Sequence, residues 1–253
     1  LWNSYSFFST YAAVDGFEPG VHRIKDTELT VLDRWIRSKT HKLIQDALNA
    51  FENFSVDKFM RKMDRFFEDL SNWYIRRNRR RFWKSVDDLD KLAAYQTLYD
   101  VLLNTIKILS PMVPFITEEI YQNLVRNADQ NAVESIHLCD YPIVNEEYID
   151  ENLMRRVDTL KKLVELGRSA RNKANLKIRQ PLSGLKFVVK SDDLAEFILD
   201  QKSVVLDELN VKSIDRVDRP EMLINFHVKP NLKILGQKYG ENLQIIRKFI
   251  NEK

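Results

Sequence analysis

A mainly α protein is predicted, a helical bundle to about residue 175 followed by a small α+β domain. Three observations carry this. Apolar residues recur at three- and four-residue steps through most of residues 28–174, the period of an amphipathic helix. Gly and Pro are scarce, 6 and 7 in 253 residues, which disfavours an all-β or loop-rich chain. After Gln180-Pro181 the pattern shortens to strand-length runs.

Residues 1–27 read as a short helix and a loop around Asp15-Gly16 and Pro19-Gly20. From about Glu28 a helix begins, with Leu32, Trp35, Ile36, Leu43, Ala47 and Leu48 on one face. Ser55 looks like the N-cap of the next helix, with Lys58 where a full capping box has an acid. That helix, about 56–84, carries a continuous apolar stripe from Val56 through Met63, Phe66 and Leu70 to Trp73 and Tyr74. A third runs from about Asp88 to Leu109 and ends at Ser110-Pro111-Met112-Val113-Pro114, because proline breaks a helix interior. Pro114 suits the first turn of a fourth helix. A fifth, about 146–174, follows Tyr141-Pro142. Beyond it, Leu185–Lys190, Val211–Val217 and Met222–Val228 read as strands, 192–201 as a short helix, and the end from about Tyr239 as helix.

Composition removes several classes of function. Hydrophobic residues at 44% and charged residues at 30% provide a sizeable core under a solvated surface. The single cysteine, Cys139, excludes an internal disulfide framework and a Cys-based zinc site, and fits a reducing cytoplasmic setting. No run of about 18 apolar residues exists, so no membrane span is expected. The first residues, Leu1-Trp2-Asn3-Ser4, lack an initiator Met and a signal-peptide layout, so the chain is expected to begin within a longer protein. The histidines His22, His41, His137 and His227 are scattered without metal-ligand spacing, so no metal site is expected. No glycine-rich phosphate loop is present. Glu118 and Glu119, adjacent on a helix, point about 100° apart, a poor arrangement for shared acid–base work. No catalytic residues are assigned.

Two basic tracts remain. Residues 73–84 hold six cations and no acid. In α-helical phase Arg77, Arg80, Arg81 and Lys84 continue the face that is apolar up to Tyr74. Unpaired cations are not buried against a core, because each costs several kcal/mol. Either the helix end projects and Arg76, Arg77, Arg80, Arg81 and Lys84 meet RNA phosphate, with Trp83 or Phe82 stacking on a base, or acids such as Asp87, Asp88 and Asp90 pair with them. The second tract, 155–179, has nine cations against two acids, with Lys161, Arg168 and Arg171 in helical phase and Lys177 and Arg179 at its end. It reads either as a backbone-tracking groove or as a solvated helix face.

Several stretches also match a family. Leu32-Asp33-Arg34-Trp35-Ile36 resembles the L-D-R-W-I opening of the anticodon-binding bundle in class I aminoacyl-tRNA synthetases for large aliphatic amino acids. Ser71–Trp83 is similar to the isoleucyl version of the following helix, where Arg76 stands in place of the acid of valyl enzymes. Leu109–Tyr121 resembles the hinge L-x-P-x-x-P-F-x-x-E-E-I-Y. Ser135-Ile136-His137-Leu138 with Tyr141-Pro142, and Lys177–Leu182, resemble later signatures. Lys229–Gly236 resembles the eukaryotic-like branch of isoleucyl enzymes.

The resemblance implies that 1–27 is the tail of a catalytic region. It implies a helical anticodon-binding domain of the class I synthetase type over 28–176 and a small α+β junction domain over 177–253. The expected partners are isoleucine tRNA and the catalytic domain of the same chain, with a monomer and no membrane partner. The tRNA-binding candidates are Arg76, Arg77, Arg80, Arg81, Trp83, Lys84, Lys161, Arg168, Arg171, Lys177 and Arg179. The H-I-G-H and K-M-S-K-S signatures are missing from these 253 residues. This stretch is therefore expected to be inactive alone and without a cofactor of its own, while ATP and Mg are expected of the full-length ligase. The equivalent domain of a valyl or leucyl enzyme, or a helical protein-interaction scaffold, are the rival expectations.

Overall fold

The computed structural model describes residues 1–21, 24–84 and 88–219, with 221, 235, 239–242 and 244 beyond them. They form two compact units, Leu1–Val157 and Asp158–Lys253, and the boundary falls within one helix.

The first unit is helical. Helix α1 (Trp2–Asp15) stops where Gly16 takes the left-handed φ of 62° that a side-chain-bearing residue resists. Helix α2 (Val31–Glu52) starts at a reciprocal cap that the sequence reading missed. The Asp33 amide donates to Thr30 Oγ1 (3.2 Å), and Asp33 Oδ2 accepts from the Thr30 amide (2.9 Å). Helix α3 (Val56–Glu68) widens into π-helical turns over Asp69–Ile75. It then passes through a single α-turn, α4 (Arg76–Asn78), and a 3-10 turn (Arg81–Trp83). Ser55 occupies the N-cap position but makes no side-chain capping bond, which corrects the expectation there.

Helix α5 (Leu89–Leu109) is capped by Asp88, which accepts from the Asp90 (2.9 Å) and Lys91 (3.2 Å) amides. Helix α6 (Pro114–Tyr121) has proline in its first turn and continues as π-turns over Gln122–Arg126. Helix α7 spans Glu151–Lys173. The core lies where α2 packs between α3 and α5, with Trp35, Ile36, Ile44, Met63, Leu70, Leu98, Leu102 and Ile106 fully buried. Helix α1 adds an aromatic layer, in which Phe17 stacks on Tyr95 at 4.9 Å and Phe7 meets Phe82 edge-on at 5.1 Å.

The second unit pairs β1 (Leu185–Phe187) in parallel with β2 (Ile214–Arg216), Leu185 opposite Ile214. Helices α8 (Asp192–Asp200) and α9 (Lys202–Leu209) form the crossover that a parallel pair requires. Phe187, Ile198, Val205, Leu209 and Ile214 form its core. Gly167, inside α7, lies where a Cβ would overlap the Leu209 side chain, so the helix comes close there. The structure thus shows the expected bundle and small α+β unit, with strands shorter than read and α9 added. The expected third strand, Met222–Val228, lies outside the described residues, as does most of the terminal helix.

Candidate nucleic-acid interface

The basic stretch 73–84 divides into an inward and an outward face. From Leu70 the buried positions advance through Tyr74, Asn78 and Phe82, with Arg81 beside them. These four-residue steps exceed the 3.6-residue repeat of an α-helix. The π-turns over Asp69–Ile75 supply the surplus, since each wide turn takes in an extra residue. The helix end is therefore rotated relative to the plain α phase. Arg76, Arg79 and Arg80 are exposed on one face, Arg77 is half-buried, and Trp83 is 61% exposed. Arg79, which the phase argument left out, lies over the Phe7 ring at 5.9 Å. Trp83 Nε1 donates to the Tyr11 hydroxyl at 3.2 Å, leaving its ring face available for stacking. The Arg76 Nε–H donates to the Asn72 carbonyl at 2.8 Å.

Arg81 is placed differently from the expectation. It is only 8% exposed, and its fork grips the fully buried Asp33, Nη1 to Oδ1 at 2.8 Å and Nη2 to Oδ2 at 2.9 Å. Nη1 also donates to Asn78 Oδ1 (3.2 Å) and Nη2 to the Asp90 carbonyl (2.9 Å), and Nε lies 2.8 Å from the Asp90 carboxylate. Burial disfavours its charge, but Asp33, and to a lesser extent Tyr74 and Asp90, hold its pKa above the ordinary arginine value. Tyr74 donates to the same Asp33 Oδ1 at 2.7 Å. Lys84 is exposed yet pairs with Asp90 (2.8 Å), the interaction that chiefly raises its pKa. Arg81 is thus engaged inside the fold, which corrects its expected outward placement, while Lys84 is paired at the surface. Arg81 thus meets the one buried acid on α2, as the internal-acid alternative has it for this residue.

A polar cavity of about 280 Å³ opens between α2 and α5, bordered by Arg37, His41, Asp100 and Tyr148. Arg37 is committed there, to Asp26 at 2.8 Å and to the Tyr148 ring at 4.0 Å. The imidazole of His41 accepts the Asn145 amide at 3.1 Å, the structural role expected of it.

In the second tract, Lys161 lies 3.6 Å from Asp158. Arg168 pairs with the buried Glu208. Arg171, only 5% exposed, donates to the carbonyls of Lys177 (3.0 Å), Ile178 (3.2 Å) and Gln180. The expected outward face is therefore corrected at Arg171, while Arg168 stays exposed as it pairs with Glu208. A buried carboxylate takes up the Arg168 fork, and the carbonyls of the turn after α7 take up that of Arg171. Lys173, Lys177 and Arg179 are exposed. Glu118, set aside for chemistry, holds the 135–138 segment by accepting from Ser135 Oγ (2.9 Å) and the Ile136 amide (3.0 Å). Among the described residues no cluster of His, Cys, Asp and Glu is arranged to hold a metal, and no helix is long and apolar enough to cross a membrane.

A family described as the anticodon-binding domain of tRNA ligase matches residues 33–186, which include both basic tracts. The chain is 43% identical over 251 residues to the isoleucine–tRNA ligase of Clostridium novyi and 44% over 250 residues to that of Clostridium tetani, covering 99% of this chain in each case. It is 41% identical over 251 residues to that of Treponema pallidum, covering 95% of this chain. It spans about a quarter of the length of these curated relatives, 24% and 23%. The match over 33–186 takes in α2 through α7, and on that ground the chain belongs to the anticodon-binding domain family of tRNA ligases.

Proposed function

We propose that this chain is the tRNA-gripping part of an isoleucine–tRNA ligase, holding the anticodon stem-loop of isoleucine tRNA so that the distant acceptor end reaches the active site. The observation that carries the reading is the outward face Arg76, Arg79 and Arg80 with Trp83 exposed beside it. Guanidinium forks match phosphate oxygens, and an exposed indole stacks on any base. Identity with isoleucine–tRNA ligases along the chain supports isoleucine over valine or leucine. Lys173, Lys177 and Arg179 form a second phosphate-binding surface. The grip turns RNA binding energy into placement of the reacting end. The full-length ligase uses ATP and Mg, works as a cytoplasmic monomer, and carries 177–253 as a junction domain. Assignment to the eukaryotic-like branch rests on Lys229–Gly236 alone, whereas the relatives above come from bacteria.

The test is filter binding of the full-length protein to purified tRNAs across a salt series. Isoleucine tRNA is expected to bind tightest. Changing Arg76, Arg79 and Arg80 to Ala is expected to flatten log affinity against log salt by about one unit for each phosphate no longer neutralised. An unchanged slope in a folded variant refutes the assignment of this face.

A further inference from the structure

Asp33 is the hub of a buried hydrogen-bond network. Its carboxylate is fully buried and accepts from the Thr30 amide and hydroxyl, the Tyr74 hydroxyl and both Nη groups of Arg81. Arg81 in turn reaches Asn78 and Asp90. The network therefore joins the start of α2, the start of α5 and the inward face of the basic helix end. A buried ion pair is a weak source of net stability, because desolvation of two charges offsets their attraction. What it supplies is direction: a planar fork on a carboxylate has a narrow set of geometries.

Direction matters here because the helix end has two available rotations. Continued in plain α phase from Met63, Phe66 and Leu70, the chain would carry Arg77 and Arg80 inward along with Arg81. In the observed rotation Tyr74, Asn78 and Phe82 are inward and Arg76, Arg79 and Arg80 are outward. The π-turns over Asp69–Ile75 make the difference, and such turns persist only where the surroundings hold them. Tyr74 and Arg81 bond Asp33 directly, and Asn78 accepts from Arg81.

We propose that Asp33 and Arg81 are positioning residues for tRNA: their buried pair sets the rotation of the 69–83 segment and thereby presents Arg76, Arg79 and Arg80 to the phosphate backbone. This rests on the reading that the outward face binds tRNA. Neither residue touches RNA; both act through the exposed arginines.

The experiment uses the full-length protein and isoleucine tRNA. Because Asp33→Asn alone strands a buried guanidinium, the central variant is Asp33→Asn with Arg81→Met, which leaves neither charge unpaired. Arg81→Lys keeps the charge without the fork. Both are expected to stay folded by thermal melt and to retain tRNA-independent, isoleucine-dependent ATP–pyrophosphate exchange, while the KM for tRNA rises roughly tenfold with little change in kcat, a loss the size of one good arginine contact. Adding Arg76, Arg79 and Arg80 to Ala should then cost much less than in the wild-type background, since the arginines are already misaligned. An unmoved tRNA KM, a loss that simply adds to the triple substitution, or exchange activity that falls as the tRNA KM rises overturns the proposal. If the triple substitution alone leaves tRNA affinity unchanged, the proposed function of this face fails instead, and the positioning role falls with it.

Discussion

Arg168 and Arg171 show what a cation does when the fold needs it more than a ligand would. Glu208 is almost fully buried, and Arg168 is the cation paired with it. Arg171 caps three carbonyls where the chain turns after α7. Removing Arg168 weakens the pairing of a buried carboxylate, and removing Arg171 takes a donor from three carbonyls, each a loss of hydrogen bonding. Arg168→Ala is expected to destabilise the second unit by on the order of 2 kcal/mol, below the ~3–5 kcal/mol of a fully buried pair because the Arg168 side chain is partly exposed. Arg171→Ala should cost about 1–3 kcal/mol. Lys173→Ala and Lys177→Ala should stay within about 0.5 kcal/mol, as exposed substitutions do. Urea denaturation of the four variants checks this ordering. Equal midpoints across all four would mean that the two arginines carry no structural duty.

At the scale of elements, helix ends were easier to read than helix rotation. Gly16, Pro111 and Pro114 forbid continuation through simple backbone constraints, so the ends of α1 and α5 and the start of α6 fall where expected. The π-turns at Asp69–Ile75 leave no composition signal, and every phase argument beyond Leu70 inherits their offset. That is why Arg80 is exposed although plain α phase sets it on the apolar face, and why Arg79 went unnoticed. Helix α9 escaped because eight residues with two adjacent valines are too short for a period.

The docking of α1 on α5 was equally hidden, since Asp15 and Lys91 are 76 positions apart. In the fold Asp15 accepts from Lys91 Nζ (2.6 Å) and the Tyr95 hydroxyl (2.5 Å). Burial pushes the Asp15 carboxyl up, but those two hydrogen bonds and the lysine charge hold it below its ordinary value. A depressed carboxylate contributes stability above its unfolded pKa and loses it as pH falls through the folded one. Asp15→Asn should therefore lower the urea midpoint at pH 7, and the gap to wild type should close as pH drops below about 4. A gap of the same size at pH 7 and pH 3 would show that the ion pair is not what docks α1.

For the whole molecule, a net charge of +3 conceals two concentrated basic surfaces, one in each unit. Net charge governs solubility and long-range attraction, whereas affinity for a polyanion depends on how many phosphates are met at close range. Arg76, Arg79 and Arg80 lie in the first unit, and Lys173, Lys177 and Arg179 in the second. Substitutions at independent sites add within about 0.5 kcal/mol. If both surfaces track the backbone of the same tRNA, Ala triples in each should reduce the salt slope separately, by up to roughly three units each, and the six-residue variant should lose the sum. Since phosphates carry no sequence, each triple should weaken cognate and non-cognate tRNA by similar factors, so the preference for isoleucine tRNA survives while affinity falls. Binding measured between about 50 and 200 mM salt separates the outcomes. A triple that removes the preference while leaving the slope intact would mean that those residues read bases. A six-residue loss no larger than one triple alone would mean that a single surface grips the RNA and the other unit's cations serve only the solvated exterior.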